Sequence, residues 1–316
     1  MGNEPNTLQE SILYFSDPDN CLNYVVSRRW PNGVICPTCG SKDVRFLSTR
    51  RLWECKTKHP KQQFSVKVGT IFEDSALPLD KWLMATWLIV DCKNGISSCE
   101  IARDLGITQK SAWHLLHRVR HALHAGSFEL MSGEVEVDET FIGGKARFMH
   151  KDKKLARRGG RRKAPGPQGK AIVAAVLERG GKVLASVVSH RRKHHLHALV
   201  RENVAVGSAL YSDALQSYDG LKEDYLHEVI DHAEAYVRGR VHTNGLENFW
   251  SLLKRGINGT YVSVEPFHLF RYVDEQAFRF NNRKDMNDGE RFSLAVSQIV
   301  GKRLTWNKLT GKELTQ

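Results

Sequence analysis

The sequence predicts a multidomain α+β chain: a small metal-binding ribbon, a helical module containing a helix-turn-helix, and then an α/β domain. Three observations predict it. Cys36 and Cys39 stand two residues apart, with Cys55 and His59 following at short spacing. Residues 80–124 carry Leu, Ala, Trp and His at helical intervals, and from 133 onward the period becomes two, Val135 and Val137 alternating with Glu134, Glu136 and Asp138. The change of period marks a boundary near 130. The expected divisions are an N-terminal helical lead at 1–30, the ribbon at 31–75, the helix-turn-helix region at 76–128, the α/β domain at 129–285 and a C-terminal helical tail at 286–316.

Length and composition limit the function. A chain of 316 residues is about twice the ~150-residue domain prior, so each part can bury its own core. Lys and Arg outnumber Asp and Glu by 47 to 35, a net charge of +12. That surplus favours a polyanionic partner, because basic side chains gain by displacing the counterions condensed on nucleic acid. The apolar runs, such as Ala171–Leu177, fall far short of the ~20 residues that span a bilayer, and Met1–Glu10 lacks the basic-then-apolar order of a signal peptide. A membrane or secreted protein is not expected. Six cysteines in this length do not make a disulfide scaffold, and close pairs read as metal ligands.

In the ribbon, Cys36-Pro37-Thr38-Cys39-Gly40 forms a knuckle that points two thiolates at one ion. Cys55 supplies a third and His59 the fourth ligand of a tetrahedral zinc site, with Val44–Trp53 between the pairs as a short hairpin. Cys21, Cys92 and Cys99 lie in helical or apolar patterns and read as buried thiols rather than ligands. Further on, Ser97-Ser98-Cys99-Glu100 matches a capping box that opens a helix, Gly106 makes the turn, and Thr108 caps a second helix with Ala112, Leu116, Val119 and Leu123 on one stripe. Its other side offers Gln109, Lys110, Ser111, His114 and Arg118, chemistry suited to base edges and phosphates in a major groove.

The α/β domain presents three acids. Asp138 ends a strand, Asp213 follows a second strand at Ala209–Ser212, and Glu247 borders the apolar stripe of a helix running from Asn244. Lys254 follows Glu247 by two helical turns. Singly, each acid also fits a local structural role: Asp138 and Asp213 as turn residues, Glu247 as a capping partner of Asn244. Together they offer oxygens from different elements, as two divalent ions need for phosphodiester chemistry. Spacing alone leaves both readings open. Lys145–Lys170 holds eleven Lys or Arg and one acid, broken by Gly159-Gly160 and Pro165-Gly166-Pro167, and reads as an exposed basic loop. Ala171–Leu177 and Val183–Val188 read as a hairpin turned at Gly180-Gly181, and helices are expected at His194–Asn203 and Phe267–Asn281.

Val135-Glu136-Val137-Asp138-Glu139-Thr140-Phe141-Ile142-Gly143-Gly144-Lys145 resembles the first catalytic strand of bacterial insertion-sequence transposases of the ISXO type. His242-Thr243-Asn244-Gly245-Leu246-Glu247-Asn248-Phe249-Trp250 and the Ser251–Gly256 run after it resemble that group's third acidic segment, Tyr211-Ser212-Asp213 its middle one, and Gly69-Thr70-Ile71-Phe72 the end of its ribbon. The resemblance implies a ribonuclease H-like catalytic domain with a mixed sheet, in which Asp138, Asp213 and Glu247 bind two Mg2+ (or Mn2+) ions and Lys254 steers DNA. It implies a DDE transposase that hydrolyses element ends at their terminal inverted repeats and joins the 3′ hydroxyls to target DNA. It implies one structural Zn2+, duplex DNA as partner, a homodimer or higher oligomer on DNA, and a cytoplasmic, nucleoid-associated bacterial protein. Some members of the group carry Asn where this chain has Glu247, and Cys where it has His59. Two alternatives keep part of these features: a transposase-derived DNA-binding regulator and a structure-selective nuclease of the same fold.

Overall fold

A computed structural model of the chain describes residues 4–124, 129–144, 170–213, 215–230 and 242–312. The chain forms two compact units, one of residues 1–124 with 282–316 and one of residues 125–281. The basic loop read at 145–170 lies, except for Lys170, outside the described residues.

In the first unit, α1 (Leu8–Phe15) starts at a Thr7/Glu10 capping box, and α2 (Pro18–Arg29) starts at Asp17 with Pro18 in its first turn. The ribbon is a three-stranded antiparallel sheet, β1 (Val44–Leu47), β2 (Leu52–Cys55) and β3 (Gln63–Phe64), in that order. Trp53 of β2 packs its ring 5.7 Å from Trp30 and 6.1 Å from Phe64, which gives this small sheet an aromatic core. Helix α3 (Leu79–Asp91) buries Trp82, Leu83, Trp87 and Ile89. It is followed by α4 (Ser98–Leu105) and α5 (Gln109–Leu123). Of the three cysteines expected to be buried only Cys21 is: Cys92 caps the end of α3 half-buried, and Cys99 is exposed on the first turn of α4. The sequence signals at this pair are realised. Ser97 and Glu100 exchange cap bonds, Gly106 closes α4 at φ +62, and the Thr108 hydroxyl accepts the Ser111 N–H.

The segment expected as a C-terminal tail contains α9 (Asp288–Ser297) and α10 (Trp306–Leu309), and it groups with this first unit. Phe292 of α9 sits 5.5 Å from Phe15, 5.4 Å from Tyr24 and 4.9 Å from Trp87, and the Ile71 N–H donates to the Ile299 carbonyl. Burial of Phe292 in an aromatic cluster ties the end of the chain to its beginning.

The second unit is built on β4 (Glu134–Ile142), β5 (Ala171–Glu178), β6 (Val183–Val188), β7 (Ala209–Asp213) and β8 (Leu226–Ile230). The order across the sheet is β6-β5-β4-β7-β8, with β6, β5 and β4 antiparallel and β4, β7 and β8 parallel. This mixed arrangement is the ribonuclease H-like one. Both faces of the central strands are buried, which is why Ala171–Leu177 reads as a continuous apolar run. Val135, Val137, Val176 and Leu210 pack with α6 (Lys193–Asn203) through Leu196, Leu199 and Val200. Val173, Ala175 and Leu177 pack with Leu246, Phe249 and Leu253 of α7 (Asn244–Arg255) and Val273 of α8 (Leu269–Asn281). Strand β8 was not anticipated. It is an edge strand whose Leu226 and Val229 remain exposed, so it lacks the burial pattern that betrays a strand. Among the described residues no helix is long and apolar enough to cross a membrane.

Candidate active site and metal centre

Cys36, Cys39, Cys55 and His59 bring one ligand atom each to within 4.8 Å of one another. Cys36 Sγ lies 3.4 Å from His59 Nε2, and Cys39 Sγ lies 3.6 Å from Cys55 Sγ. The knuckle turns at Gly40 (φ +73), whose N–H donates to the Cys36 carbonyl, while Cys55 is delivered as the last residue of β2. His59 Nδ1 is 2.6 Å from the Pro60 carbonyl oxygen. Donation of the Nδ1 proton there leaves the Nε2 lone pair facing the thiols, the orientation a metal-bound imidazole needs. Burial pushes the Cys36 thiol up, and bonds from the Cys39 and Thr38 backbone more than offset it, so its net shift is downward.

The five residues read as groove-facing on α5 separate into two sets. Gln109 and Lys110 are exposed and Ser111 is half-buried on the first turn, Gln109 donating to Ser98 Oγ and Lys110 lying 4.7 Å over the Trp306 ring. His114 packs 5.4 Å from Trp306, and burial lowers its pKa. Arg118 departs from expectation. It is buried, its guanidinium donating to the Glu73 carbonyl and standing 5.2 Å from the Trp82 ring centre. Helical periodicity placed it opposite the apolar stripe, but residues 115–120 of α5 are all buried, so that side of the helix is not a free surface.

Asp138 and Asp213 lie side by side on neighbouring parallel strands, but Asp138 does not end its strand as expected: β4 continues past it to Ile142, held by the ladder with β5, and only Asp213 is a terminal strand residue. The register pairs Val137 with Ser212, so the aspartates are the next residues on each strand. Asp138 Oδ2 accepts a 2.8 Å bond from the Trp250 indole N–H, and Oδ1 accepts the Glu139 N–H at 2.8 Å. Asp213 Oδ1 accepts the Leu215 N–H at 3.1 Å, so the turn role read for it and a place beside Asp138 coexist. Burial, joined by the charges of Glu139 and Asp213, pushes the Asp138 carboxyl up to about 7 against the lowering effect of the Trp250 bond. Glu247 is exposed in the first turn of α7, three residues before Trp250. Lys254 is exposed two turns further on. Asp138 and Asp213 are neighbours, Glu247 lies three residues before the Trp250 that bonds Asp138, and the three do not close into a tight ligand group. Among the described residues, only the Cys3His set brings three or more ligand atoms within 4.8 Å of each other.

Two further acids shape this region. Glu136, 1% exposed, accepts the Leu246 N–H at 3.0 Å and lies 3.1 Å from Arg179 Nε. Arg179 in turn donates to the His242 carbonyl at 2.8 Å. Helix α7 is therefore moored to β4 on both sides of Glu247, by Leu246 to Glu136 and by Trp250 to Asp138. Gly245 makes this possible, since a Cβ there would sit 2.8 Å from Glu136 Oε2 and overlap the Leu177 side chain. Glu139 faces the other way, accepting the Tyr218 hydroxyl at 2.8 Å, and burial raises its pKa. Period-two alternation put Glu136 on the face of Asp138, yet nothing local in the sequence announces Arg179 as its partner.

A ribbon with a Cys3His group thus precedes, in one chain, a mixed sheet that carries neighbouring aspartates, and its family matches show which class of protein combines the two. Residues 130–281 match the ISXO2-like transposase domain and residues 16–57 match the transposase zinc-ribbon domain, a match that ends two residues before His59. The chain belongs to the ISXO2-like transposase family. It is 27% identical over 254 residues to an uncharacterized protein in transposable element ISH50 of Halobacterium salinarum, covering 78% of this chain and 85% of that protein. It is 31% identical over 102 residues to an uncharacterized transposase-like protein of Haemophilus influenzae, covering 32% of this chain and 82% of the relative. The crystal structure of a pre-cleavage Mos1 transpososome aligns at 11% identity over 62% of this chain and 75% of that one, with a TM-score of 0.18, too low to bear on this site.

Proposed function

We propose that the chain binds the terminal inverted repeats of an insertion sequence, hydrolyses the phosphodiester at its ends and joins the 3′ hydroxyls to target DNA. The observation that carries this reading is the adjacency of Asp138, midway along β4, and Asp213, the last residue of the parallel strand β7, beside a helix that bonds to Asp138 through Trp250 and carries Glu247 one turn earlier. The donors suit hard divalent cations: they are all oxygen, come from three elements, and include an Asp138 whose ionisation burial and like charges oppose. Asp138, Asp213 and Glu247 would hold two Mg2+ or Mn2+ ions. Such ions, when bound, activate a water or hydroxyl and stabilise the leaving oxygen of an in-line displacement.

The chain's own groups set the geometry. Trp250 fixes the Asp138 carboxylate, the Leu215 N–H fixes that of Asp213, and the Glu136 bond to Leu246 holds the start of α7 against β4. Lys254 steers a phosphate by charge. In the ribbon, three thiolates and the His59 imidazole match tetrahedral zinc, which would be structural because the four ligands leave no open position. Gln109, Lys110 and Ser111 on the first turn of α5 offer groups to a DNA groove. Two ends cut in concert require at least a homodimer on DNA, in the cytoplasm at the nucleoid.

The test uses labelled duplexes carrying the inverted repeats that flank the coding region, with a supercoiled plasmid target and Mg2+. The wild type is expected to cut and join. Glu247→Gln is expected to bind ends within a few-fold of wild type while cleavage falls on the order of 10³-fold, about 4 kcal/mol. Cleavage at the wild-type rate would overturn the assignment. Cutting without joining would favour the nuclease, and binding without either the regulator.

A further inference from the structure

Beyond the carboxylates, the second unit contains a cavity of about 420 Å3 at the far end of β4. Ile142, Lys170, Lys254, Ile257 and Asn258 line it, together with Gly143 and Gly144. Ile142 and Ile257 are 7% and 6% exposed and belong to the core beneath α7, so the floor is apolar. Lys170 and Lys254 bring two ammonium groups and Asn258 an amide. Among the described lining residues there is no carboxylate.

Two backbone features build this place. Gly143 adopts φ +144 and leaves room for Lys170, whose Cα would stand 3.4 Å from a Cβ at that position. Helix α7 runs on into a π-helical turn at Gly256–Thr260, which carries Ile257 and Asn258. Such turns are rare and are frequently found at functional sites. The cavity also lies on the side of β4 that bears Asp138. Ile142 is four residues from Asp138 on that face, about 13 Å along a strand, close to four base steps of a stacked DNA strand at 3.4 Å each.

The volume falls within the range of pockets that enclose a small organic ligand. An apolar floor with cations and one amide suits a flat ring that has a hydrogen-bonding edge and carries an anion. A contact to stacked phosphates alone would need neither floor nor concavity. We propose that this cavity takes a single extrahelical nucleotide of the DNA end, its base against Ile142 and Ile257, its edge at Asn258 and its phosphate between Lys170 and Lys254. The proposal rests on the reading of DNA ends as substrate and adds a site of nucleotide extrusion close to the scissile bond.

An enzyme that extrudes a base expends unpairing free energy, so a mismatch at the extruded position tightens binding. The experiment titrates the full-length protein with end-bearing duplexes in which one mismatch is moved stepwise through the six pairs beside the cleaved bond. Wild type is expected to bind about tenfold tighter or more at one or two positions within about four steps of the cut, and to bind equally elsewhere. Gly144→Phe and Asn258→Phe are expected to remove that peak while retaining affinity for paired ends. Gly144 lines the cavity and a Cβ there meets nothing within 4 Å, so the first variant adds a ring to the lining without a clash at Cβ. A flat profile in a wild-type protein that cuts intact ends would overturn the pocket and leave the transposase reading standing. A peak that survives both variants would place the extruded base elsewhere. Failure of wild type to cut intact ends would overturn both.

Discussion

The ribbon, whose four ligand atoms are already gathered, and the carboxylate region, proposed above to hold divalent ions, differ in how their side chains come together. The four ribbon ligands span 24 residues and arrive on a knuckle, a strand end and the turn after it, within 4.8 Å of one another. Thiols and a neutral imidazole carry no charge until they ionise, so they crowd at little electrostatic cost. The acids of the second unit come from the middle of β4, the end of β7 and the first turn of α7, 109 positions from first to last, and each adds a negative charge when ionised. Burial and its neighbours push Asp138 up to about 7, and Glu247 stands off at the surface. The lesson is that a closed structural centre is specified locally, whereas an open site is held by its surroundings, here Trp250, Glu136 and the close approach at Gly245.

The largest test of that contrast is Cys36→Ser. Structural zinc of this type contributes on the order of 10 kcal/mol to the folding of small domains. The variant is expected to lose its one equivalent of zinc by elemental analysis and to lose end binding, while divalent-ion binding by the second unit persists. Retention of stoichiometric zinc would refute the ligand set. A smaller effect separates the two kinds of cation on α5. Arg118→Met removes a buried donor to the Glu73 carbonyl and is expected to destabilise the protein by about 1–3 kcal/mol in urea unfolding. Lys110→Gln is expected to leave stability unchanged, weaken DNA binding several-fold and lower the salt slope by about one. The reverse pattern would restore Arg118 to the groove.

How much of this was legible in the sequence follows the same division. The ribbon hairpin, the Ser97–Glu100 cap and the Gly106 turn depend on neighbours within a few residues, and spacing reveals them. Strands β4 to β7 were visible because burial imposes alternation or a solid apolar run. What was not visible depends on distant partners. Arg118 follows a polar helical pattern, yet Trp82 and the Glu73 carbonyl enclose it. Strand β8 leaves apolar residues exposed at a sheet edge, and the 282–316 segment returns to the first unit through Phe292. At the acidic region, three residues separated by 75 and 34 positions were grouped through family resemblance. Their approach across β4, β7 and α7 could not be read from spacing.

The central claim is that Asp138, Asp213 and Glu247 act together on divalent cations. Titration of Mn2+ into the zinc-loaded protein, followed by electron paramagnetic resonance at pH 8 and pH 6, tests it most directly. Because the folded pKa of Asp138 lies above its ordinary value, a proton on that carboxyl stabilises the fold at low pH, and the benefit fades as pH rises through about 7. A cation must displace that proton, so affinity is expected to fall by up to about tenfold per pH unit below 7, and Asp138→Asn is expected to abolish the tight sites. Unchanged Mn2+ binding in Asp138→Asn, with the same affinity at both pH values, would contradict the account.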